Sequence, residues 1–548
     1  MSNVIELKLQ KIPQKPIIIL SCIAVIGLIL RLYTFPYEIP FRLDLIDNFS
    51  YAVLTSQLGE FPNGFQLANN GWPGFVSLFF SFLNPENFFD FVHLQRFLSI
   101  TLSILTIIPV YLLLRRFFEK FLAYVGAALF VFDYRIIIDS IAGSNTPLFI
   151  FLITFGIFLF LSKNTKVIYL SFGVIAFASL IRYEGLILLI PFSIMFFFRL
   201  RKQKNVIFKY FLAISIAILI LLPMAYLRIE KTGEDGLTSH LLAGVTYVTT
   251  DLKVSSPEDI PSDEPWLKPN QDNVGPFIIS GLTGLIQYLT WITVPVFMFF
   301  LPVSIFMILK NHSYKKIDNR TLSIIVIGFF MLLPAFYMYG RNFEEVKYLY
   351  FLFPIICLFC IYALNIFKIK KHFLILTILI AGVLFLTIGV IHYQNLNLDY
   401  EHEREAFEIS SFVVDNVTGI NRYSPESQFV KPAEVFKKWP NIPDTQINSP
   451  KILRDTKLFS LVDYKSIEKF IEDSKEQGLS HVFVDGRSNR GIIDNDLFFN
   501  EKNYPYLIKE FDSKEFGLKY HVKIFRIDYS LFENSDTYYS KDQQVYIP

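Results

Sequence analysis

The chain has 548 residues, of which 53% are hydrophobic and 17% aromatic, with 59 phenylalanines. This apolar fraction excludes an ordinary soluble globular protein and indicates an integral membrane protein. The formal net charge of +2 gives no support for a nucleic-acid-binding protein. Cys22, Cys357 and Cys360 all lie in apolar runs, so they are expected to be small buried side chains rather than disulfides or metal ligands.

Eleven apolar runs predict membrane-spanning helices over about the first 395 residues. Most are long enough to cross a hydrocarbon layer about 30 Å thick. The first run is long and has no small-residue cleavage site before Arg31, so it is predicted to be a retained helix and not a signal peptide. The predicted spans are 17–34, 95–114, 121–134, 147–162, 167–181, 185–198, 206–227, 289–309, 321–338, 348–367 and 372–392.

The positive charges between these spans predict the orientation of the chain. Every second connector is basic, and cytoplasmic connectors retain Lys and Arg. The N-terminus is therefore expected in the cytoplasm, and residues from about 393 onward outside it. The basic connectors carry Lys8, Lys11 and Lys15; Arg115, Arg116 and Lys120; Lys163 and Lys166; Arg199, Arg201, Lys202 and Lys204; Lys310, Lys315, Lys316 and Arg320; and Lys368, Lys370 and Lys371.

The first outer connector contains two aspartates, Asp44 and Asp47, followed by the apolar run Tyr51–Leu58. On a helix, residues three apart project from the same face. Two such carboxylates suit a divalent cation such as Mg²⁺ or Mn²⁺, or a general base beside a partner. The alternative is a solvated loop in which Asp47 caps a helix.

The remaining outer connectors add further charged groups at helix ends. Asp139 lies at or just above membrane depth, as does Asp133, for which a local pair with Arg135 is the alternative. Arg182 and Glu184 could form a structural ion pair. Arg341 and Lys347 suit an anionic phosphate, or else anchor a helix end among lipid headgroups.

The composition becomes polar from about Tyr393, and this predicts a second domain over 396–548 after a membrane domain over 1–395. Helices are predicted over Glu403–Val417 and Lys465–Gln477, and strands over Ser480–Val484 and Tyr520–Ile527. The order of helix, glycine and strand indicates a small α/β domain. The fold class is thus an α-helical polytopic membrane protein with an extracytoplasmic α/β domain.

Four segments of the first domain resemble the GT-C type membrane glycosyltransferases, especially the protein O-mannosyltransferases and the lipid A aminoarabinose transferases. Asp47 and Tyr51 follow that family's Asp-Glu-x-x-Tyr pattern, except that its glutamate is Asn48 here. A polar joint at Asp139–Asn145 separates two apolar helices. Arg182-Tyr183-Glu184-Gly185 is similar to a Thr-Arg-x-Glu-Gly segment, and Arg341 with Lys347–Pro354 is similar to the start of a family helix.

The resemblance implies an inverting enzyme that uses a polyprenyl- or dolichyl-phosphate sugar on the outer face of the cell membrane. It implies Asp47 as the catalytic base and Asp44 as a supporting carboxylate or metal ligand. Arg182, Arg341 and Lys347 would bind the donor phosphate, with Tyr51, Asp139, Glu184 and Tyr348 in support. The acceptor would be a protein, a glycan or a lipid of the cell envelope.

Two alternatives to this function stay open. Oligosaccharyltransferases share the architecture, but their Trp-Trp-Asp-Tyr-Gly signature does not occur around Trp72, Trp266, Trp291 or Trp439. A transporter or flippase of lipid-linked sugars would tend to show internal repeats and charges near the bilayer midplane. The sequence shows no repeat, and its charges lie at helix ends, which favours the enzyme.

Overall fold

The structure is a computed structural model, and it describes part of the chain. The described residues are 16–41, 44–63, 67–83, 85, 88–237, 274–294, 297–298, 300–311, 318–366, 373–397, 400–416, 421–423, 457–458, 464, 466–486 and 492–533. Several residues used to predict the orientation lie outside this set. They are Lys8, Lys11, Lys15, Lys315, Lys316, Lys368, Lys370 and Lys371.

Apolar helices make up most of the first domain. The first seven are α1 (Pro16–Tyr33), α2 (Asp44–Leu58), α3 (Gly71–Phe80), α4 (Phe88–Leu105), α5 (Ile107–Leu114), α6 (Lys120–Val131) and α7 (Tyr134–Ala142). They are followed by α8 (Thr146–Phe160), α9 (Thr165–Ile181), α10 (Glu184–Leu200), α11 (Val206–Thr232), α12 (Val274–Thr293) and α13 (Phe300–Asn311). The bundle ends with α14 (Asn319–Gly340), a 3₁₀ helix (Val346–Leu352), α15 (Phe353–Ile366) and α16 (Phe373–Asn397).

The third predicted span, 121–134, corresponds to α6, and the residues predicted as the start of the next connector form a second helix, α7. α6 and α7 meet at 51°, and the side chain of Asp133 caps α7 by accepting a hydrogen bond of 2.9 Å from the backbone N–H of Arg135. The two charged groups lie 3.9 Å apart, and both side chains are buried. The local Asp133–Arg135 pair is therefore the arrangement that the structure shows.

The predicted continuous span 289–309 is wrong. α12 ends at Thr293 and α13 starts at Phe300. The guanidinium Nη2 of Arg135 donates to the carbonyl oxygens of Trp291 at 2.6 Å and Val294 at 2.7 Å, and so satisfies the carbonyls at the end of α12. Pro295 follows in the sequence, and the residue before a proline disfavours the helical conformation.

Among the described residues, four helices are long and apolar enough to cross a membrane, or five if the bent pair counts as one span. The described part of the chain also has shorter apolar helices, including α1 before them and α8 and α9 between the first two. The protein is therefore a mostly helical, multi-pass type of membrane protein. The number of eleven spans and the side of the membrane on which the second domain lies stay predictions.

The segment predicted as a second domain forms a small sheet with helices on both faces, and the domain boundary at residue 395 stays a prediction. It contains α17 (Tyr400–Asn416), β1 (Asn421–Tyr423), β2 (Lys457–Leu458), α18 (Ile467–Lys475), β3 (Leu479–Asp485), α19 (Ile492–Phe499), β4 (Leu507–Asp512) and β5 (Val522–Ile527). The strand order is β2-β1-β3-β5-β4. β1 runs parallel to β2 and β3, whereas β5 is antiparallel to β3 and β4.

Helix α17 connects the bundle to this sheet. Its Glu405 accepts hydrogen bonds from the backbone N–H groups of Lys519 at 3.2 Å and Tyr520 at 2.6 Å. On the bundle side, the Phe407 ring lies 5.9 Å from that of Phe89, and Arg404 forms a 3.0 Å ion pair with Glu38. One hydrophobic core runs from the bundle through α17 to the near face of the sheet.

Candidate functional site

A cavity of about 580 Å³ lies where α2, the segment before α3, the junctions α7–α8 and α9–α10, and the 3₁₀ helix meet. Its wall combines apolar side chains with charged and amide groups, as small-molecule sites commonly do. Six of the residues predicted from sequence line it: Asp47, Asp139, Arg182, Glu184, Lys347 and Tyr348. The structure thus brings together groups that are up to 301 positions apart in the chain, from 47 to 348.

The first acidic group stands on α2. The helix begins at Asp44, so Asp47 is its fourth residue and does not cap it. Asp47 is half-buried, and it lines the cavity together with the adjacent Asn48. An acidic group in the first turn of a helix also stabilises the helix by its favourable interaction with the helix dipole. This structural role is compatible with a role in catalysis. The side chain of Asp44 lies outside the described part of the chain.

The second acidic group is held by the loop between α7 and α8. Asp139 Oδ2 accepts a 2.9 Å hydrogen bond from Ser144 Oγ, and Ser144 Oγ in turn accepts one of 3.3 Å from the backbone N–H of Thr146. The chain turns at Gly143, whose φ of +83° lies in the left-handed region. Arg182 and Lys347 lie near enough to act electrostatically on Asp139.

Arg182 and Glu184 form the ion pair that the sequence left as an alternative. Glu184 Oε1 accepts from Arg182 Nη2 at 2.5 Å and from Nε at 3.1 Å. The remaining Nη1 lies 3.4 Å from Thr146 Oγ1, and both side chains are buried. The guanidinium lines the cavity with its charge largely balanced by Glu184.

Lys347 is the more accessible cation of the cavity. Its side chain is 33% exposed, and Nζ lies 2.5 Å from Glu345 Oε2. An exposed ion pair of this kind contributes little to stability, so Lys347 can exchange its partner for a ligand at low cost. Tyr348 follows it on the cavity wall.

Two predicted site residues lie elsewhere. Arg341 caps α14, and its guanidinium stands over the rings of Tyr337 at 5.6 Å and Phe343 at 5.4 Å. Tyr51 is buried behind the cavity, where its hydroxyl accepts a 2.6 Å hydrogen bond from Asn70 Nδ2. Desolvation by burial raises the pKa of the Tyr51 hydroxyl, so this group stays protonated near neutral pH.

The described residues contain no group of three His, Cys, Asp or Glu side chains that could hold a metal ion. The carboxylate and amide oxygens of Asp47 and Asn48 are of the chemical type that Mg²⁺ or Mn²⁺ prefers. They do not by themselves complete a metal site. The Asp44–Asp47 metal pair therefore stays a prediction.

Sequence reasoning missed part of the cavity wall. Leu67, Ala68 and Asn69 line it, together with the fully buried Trp72. The run Asn69-Asn70-Gly71-Trp72-Pro73-Gly74 gave a usable signal, because residues of this type favour turns and a tryptophan among them requires packing against a partner. Thr146 was also missed, since its contact with Arg182 spans 36 positions.

The fold is similar to that of membrane glycosyltransferases of the GT-C type whose structures are solved. The apo oligosaccharyltransferase of Archaeoglobus fulgidus is similar with a TM-score of 0.52 and 13% identity, over 86% of this chain and 70% of that one. Its complex with Zn and sulfate gives 0.52 and 14%, over 85% and 68%. The oligosaccharyltransferase AglB from the same organism, with an inhibitory peptide and a dolichol-phosphate, gives 0.50 and 12%, over 85% and 69%.

No family model matches the sequence, and no curated protein does so either. The structural similarity confirms the GT-C architecture expected from the short motifs. The three similar structures named above are oligosaccharyltransferases, a group that the sequence analysis kept as an alternative. The packing of apolar helices determines the fold of the bundle, so two proteins can share this fold although one of them lacks the Trp-Trp-Asp-Tyr-Gly signature.

Proposed function

We propose that this protein is a glycosyltransferase related in function to oligosaccharyltransferases. It would transfer a sugar or glycan from a polyprenyl- or dolichyl-phosphate-linked donor to a protein acceptor. The observation that carries this proposal is that Asp47, Asp139, Arg182 and Lys347 line one and the same cavity within a GT-C type fold. A structurally similar protein binds a dolichol-phosphate and a peptide, which supports the lipid donor and the protein acceptor.

The reaction requires a base that removes a proton from the acceptor and cations that stabilise the negative charge of the leaving phosphate. A carboxylate takes the proton from the acceptor's nucleophilic group as that atom bonds to the sugar's anomeric carbon. The bond between that carbon and the phosphate oxygen breaks at the same time, and the lipid phosphate leaves with the electron pair. Lys347, the more exposed cation, binds that phosphate, with Arg182 beside it. Attack opposite the leaving group inverts the anomeric carbon.

Asp47 is our choice for the base. It stands half-buried on a helix that fixes its position, with Asn48 next to it. Asp139 is already held by Ser144 Oγ, which suits a group that orients a substrate. Asp44 would support Asp47, and Tyr348 would contact the donor. Arg341, outside the cavity wall, would meet the lipid phosphate only as it enters.

Two further parts of the proposal concern the metal and the location. A divalent cation, Mg²⁺ or Mn²⁺, would be bound through Asp44 and Asp47. In that case a chelator should abolish transfer activity, and added metal should restore it. The active face and the second domain would be extracytoplasmic, as the basic connectors predict.

The decisive experiment is a transfer assay with purified protein in nanodiscs. Radiolabelled polyprenyl-phosphate and polyprenyl-diphosphate sugars are offered with two peptides, one containing Asn-x-Thr and one rich in Ser and Thr. Transfer to the asparagine peptide is expected for an oligosaccharyltransferase-like enzyme, and transfer to the hydroxyl peptide for an O-mannosyltransferase-like one. Asp47→Asn is expected to lower kcat by about a hundredfold or more, because a general base is lost.

A matched control is Asp318→Asn, an exposed aspartate before α14 without a capping hydrogen bond. It is expected to leave transfer unchanged. The same protein reconstituted in sealed vesicles provides the contrasting test: wild-type protein that transfers no sugar to either peptide, yet moves a labelled lipid-linked sugar across the vesicle bilayer, would overturn the enzyme in favour of the flippase. Full activity in both Asp47→Asn and Asp44→Asn would rule out the proposed base.

A further inference from the structure

A buried arginine near the end of α11 is hydrogen-bonded to the elements that form one side of the cavity. Arg228 Nη1 donates to the carbonyl oxygen of Ala68 at 3.3 Å and to Asn70 Oδ1. The other end of the same amide, Asn70 Nδ2, donates to the Tyr51 hydroxyl at 2.6 Å. A chain of hydrogen bonds thus joins α11, the segment before α3, and α2.

This chain of hydrogen bonds runs behind the cavity wall. Tyr51 lies four residues after Asp47 on α2, so the two are one helical turn apart on the same side. Ala68 belongs to the wall itself, whereas Asn70, Tyr51 and Arg228 are 3%, 2% and 7% exposed and lie beneath it. Buried polar groups that satisfy one another in this way fix the elements that carry them.

The guanidinium is also enclosed from the other side. Gly236 has a φ of +67°, and a Cβ on it would lie 2.0 Å from Arg228 Nε. The turn Gly233–Leu237 therefore packs directly on Arg228, and it is closed by a 3.0 Å hydrogen bond from the Leu237 N–H to Asp235 Oδ1. A side chain confined in this way holds its hydrogen-bonding direction.

A second polar link at the same helix end provides a comparison. Lys231, one turn after Arg228, forms a 3.1 Å ion pair with Glu60 just beyond α2. The Lys231 side chain is 11% exposed and that of Glu60 57%, so the carboxylate end of the pair is solvated, which weakens the ion pair. It joins α11 to the chain just after α2 through a different pair of side chains.

We propose that Arg228 is a positioning residue, which fixes α2 and the segment 67–70 and thereby places Asp47 in the cavity. Its relevance to catalysis rests on the proposed function, whereas the mechanical coupling to α2 does not. Arg228 would act through Asn70 and Tyr51 and would not touch the substrate. Losing it should loosen α2 locally and lower kcat, with the KM for the lipid donor largely unchanged, because Lys347 and Arg182 are on other elements.

The test combines hydrogen–deuterium exchange with transfer kinetics on the full chain in nanodiscs. Arg228→Met is expected to speed amide exchange over residues 44–58 by about tenfold or more, since a charged, buried hydrogen bond is lost. Arg228→Lys, which can still donate to Asn70 Oδ1, should restore part of the protection. Lys231→Met should leave exchange in α2 unchanged.

The kinetics add a signature that a general loss of stability would not give. Since Arg228 acts through Tyr51, the double variant Arg228→Met with Tyr51→Phe should be no slower than Arg228→Met alone. Should Arg228→Met fail to fold, the same exchange test can be made with Tyr51→Phe, which removes the other end of the chain of hydrogen bonds.

Unchanged exchange in α2, or an equal effect of Lys231→Met, would overturn the proposal. Faster exchange in α2 in a protein whose wild type transfers no sugar would support the coupling and reject the glycosyltransferase function. The two failures are therefore distinguishable.

Discussion

At the scale of single residues, the role of Arg182 can be separated from its ion pair with Glu184. Removing either partner of a buried pair leaves an uncompensated charge, which typically costs about 3–5 kcal/mol. Arg182→Met and Glu184→Gln should each lower the unfolding temperature clearly, because both side chains are buried. The double variant, which buries no charge at this place, should recover most of that loss.

The activity of the double variant decides between structure and function. If Arg182 binds the donor phosphate, the double variant stays impaired, with a raised KM for the lipid donor, although its unfolding temperature has recovered. Recovery of transfer along with stability would show that the pair is only structural. Thermal denaturation in detergent and initial-rate kinetics measure the two quantities on the same preparations.

Sequence reasoning found the site residues that stand in short local patterns, and it missed those that act across the fold. Asp47, Arg182 and Glu184 belong to motifs only a few residues long. Arg228 and Ala68, in contrast, are 160 positions apart in the chain, and nothing in either neighbourhood predicts the contact. The placement of Arg341 on an aromatic pair likewise depends on how α14 ends, which its sequence pattern does not specify.

At the scale of elements, the turn between α7 and α8 positions one wall of the cavity. Gly143 adopts a φ of +83°, and a Cβ there would lie 2.8 Å from Phe41 Cε1 and 3.2 Å from Arg96 Cγ. Its carbonyl oxygen accepts a 2.9 Å hydrogen bond from Gln95 Nε2. Gly143→Ala should therefore cost more than the roughly 1 kcal/mol of a left-handed alanine and should disturb the neighbouring Ser144.

Gly59→Ala is the matched control for this turn. Gly59 has a φ of +68°, but a Cβ there would meet nothing within 4 Å, so only the conformational cost applies. We expect Gly143→Ala to lower the apparent unfolding temperature and kcat well beyond Gly59→Ala. Equal effects of the two variants would mean that the close packing around Gly143 contributes nothing to stability or activity.

Hydropathy located the helices well but not their breaks. α1, α9 and α14 agree with the predicted spans to within a few residues. The 51° bend between α6 and α7, however, depends on the Asp133 cap and on the remote carbonyls that Arg135 satisfies. A hydropathy average over a window of residues contains no information on such capping. This explains why the predicted span 289–309 continues past the end of α12 at Thr293.

At the scale of the whole molecule, one face of the C-terminal sheet continues the core of the bundle, and the other face has a core of its own. Phe412 of α17 packs against Phe511 of β4 at 4.4 Å, while Phe407 contacts the bundle. Along β3, Phe483 belongs to the core shared with the bundle, and Val482 and Val484 belong to a separate core on the other face. This alternation follows from the two-residue period of a strand, and for that reason the sequence predicted β3 and β5 readily.

The side of the membrane on which this domain lies can be tested on intact cells. Lys502 of the second domain and Lys202 between α10 and α11 are both exposed, and the pattern of basic connectors places them on opposite sides. In a background without Cys22, Cys357 and Cys360, Lys502→Cys should react with a membrane-impermeant maleimide on intact cells. Lys202→Cys should react only after the cells are permeabilised. The reverse result would place the second domain in the cytoplasm and would contradict a donor used on the outer face. It would also mean that the basic connectors had been exported, against their usual retention in the cytoplasm.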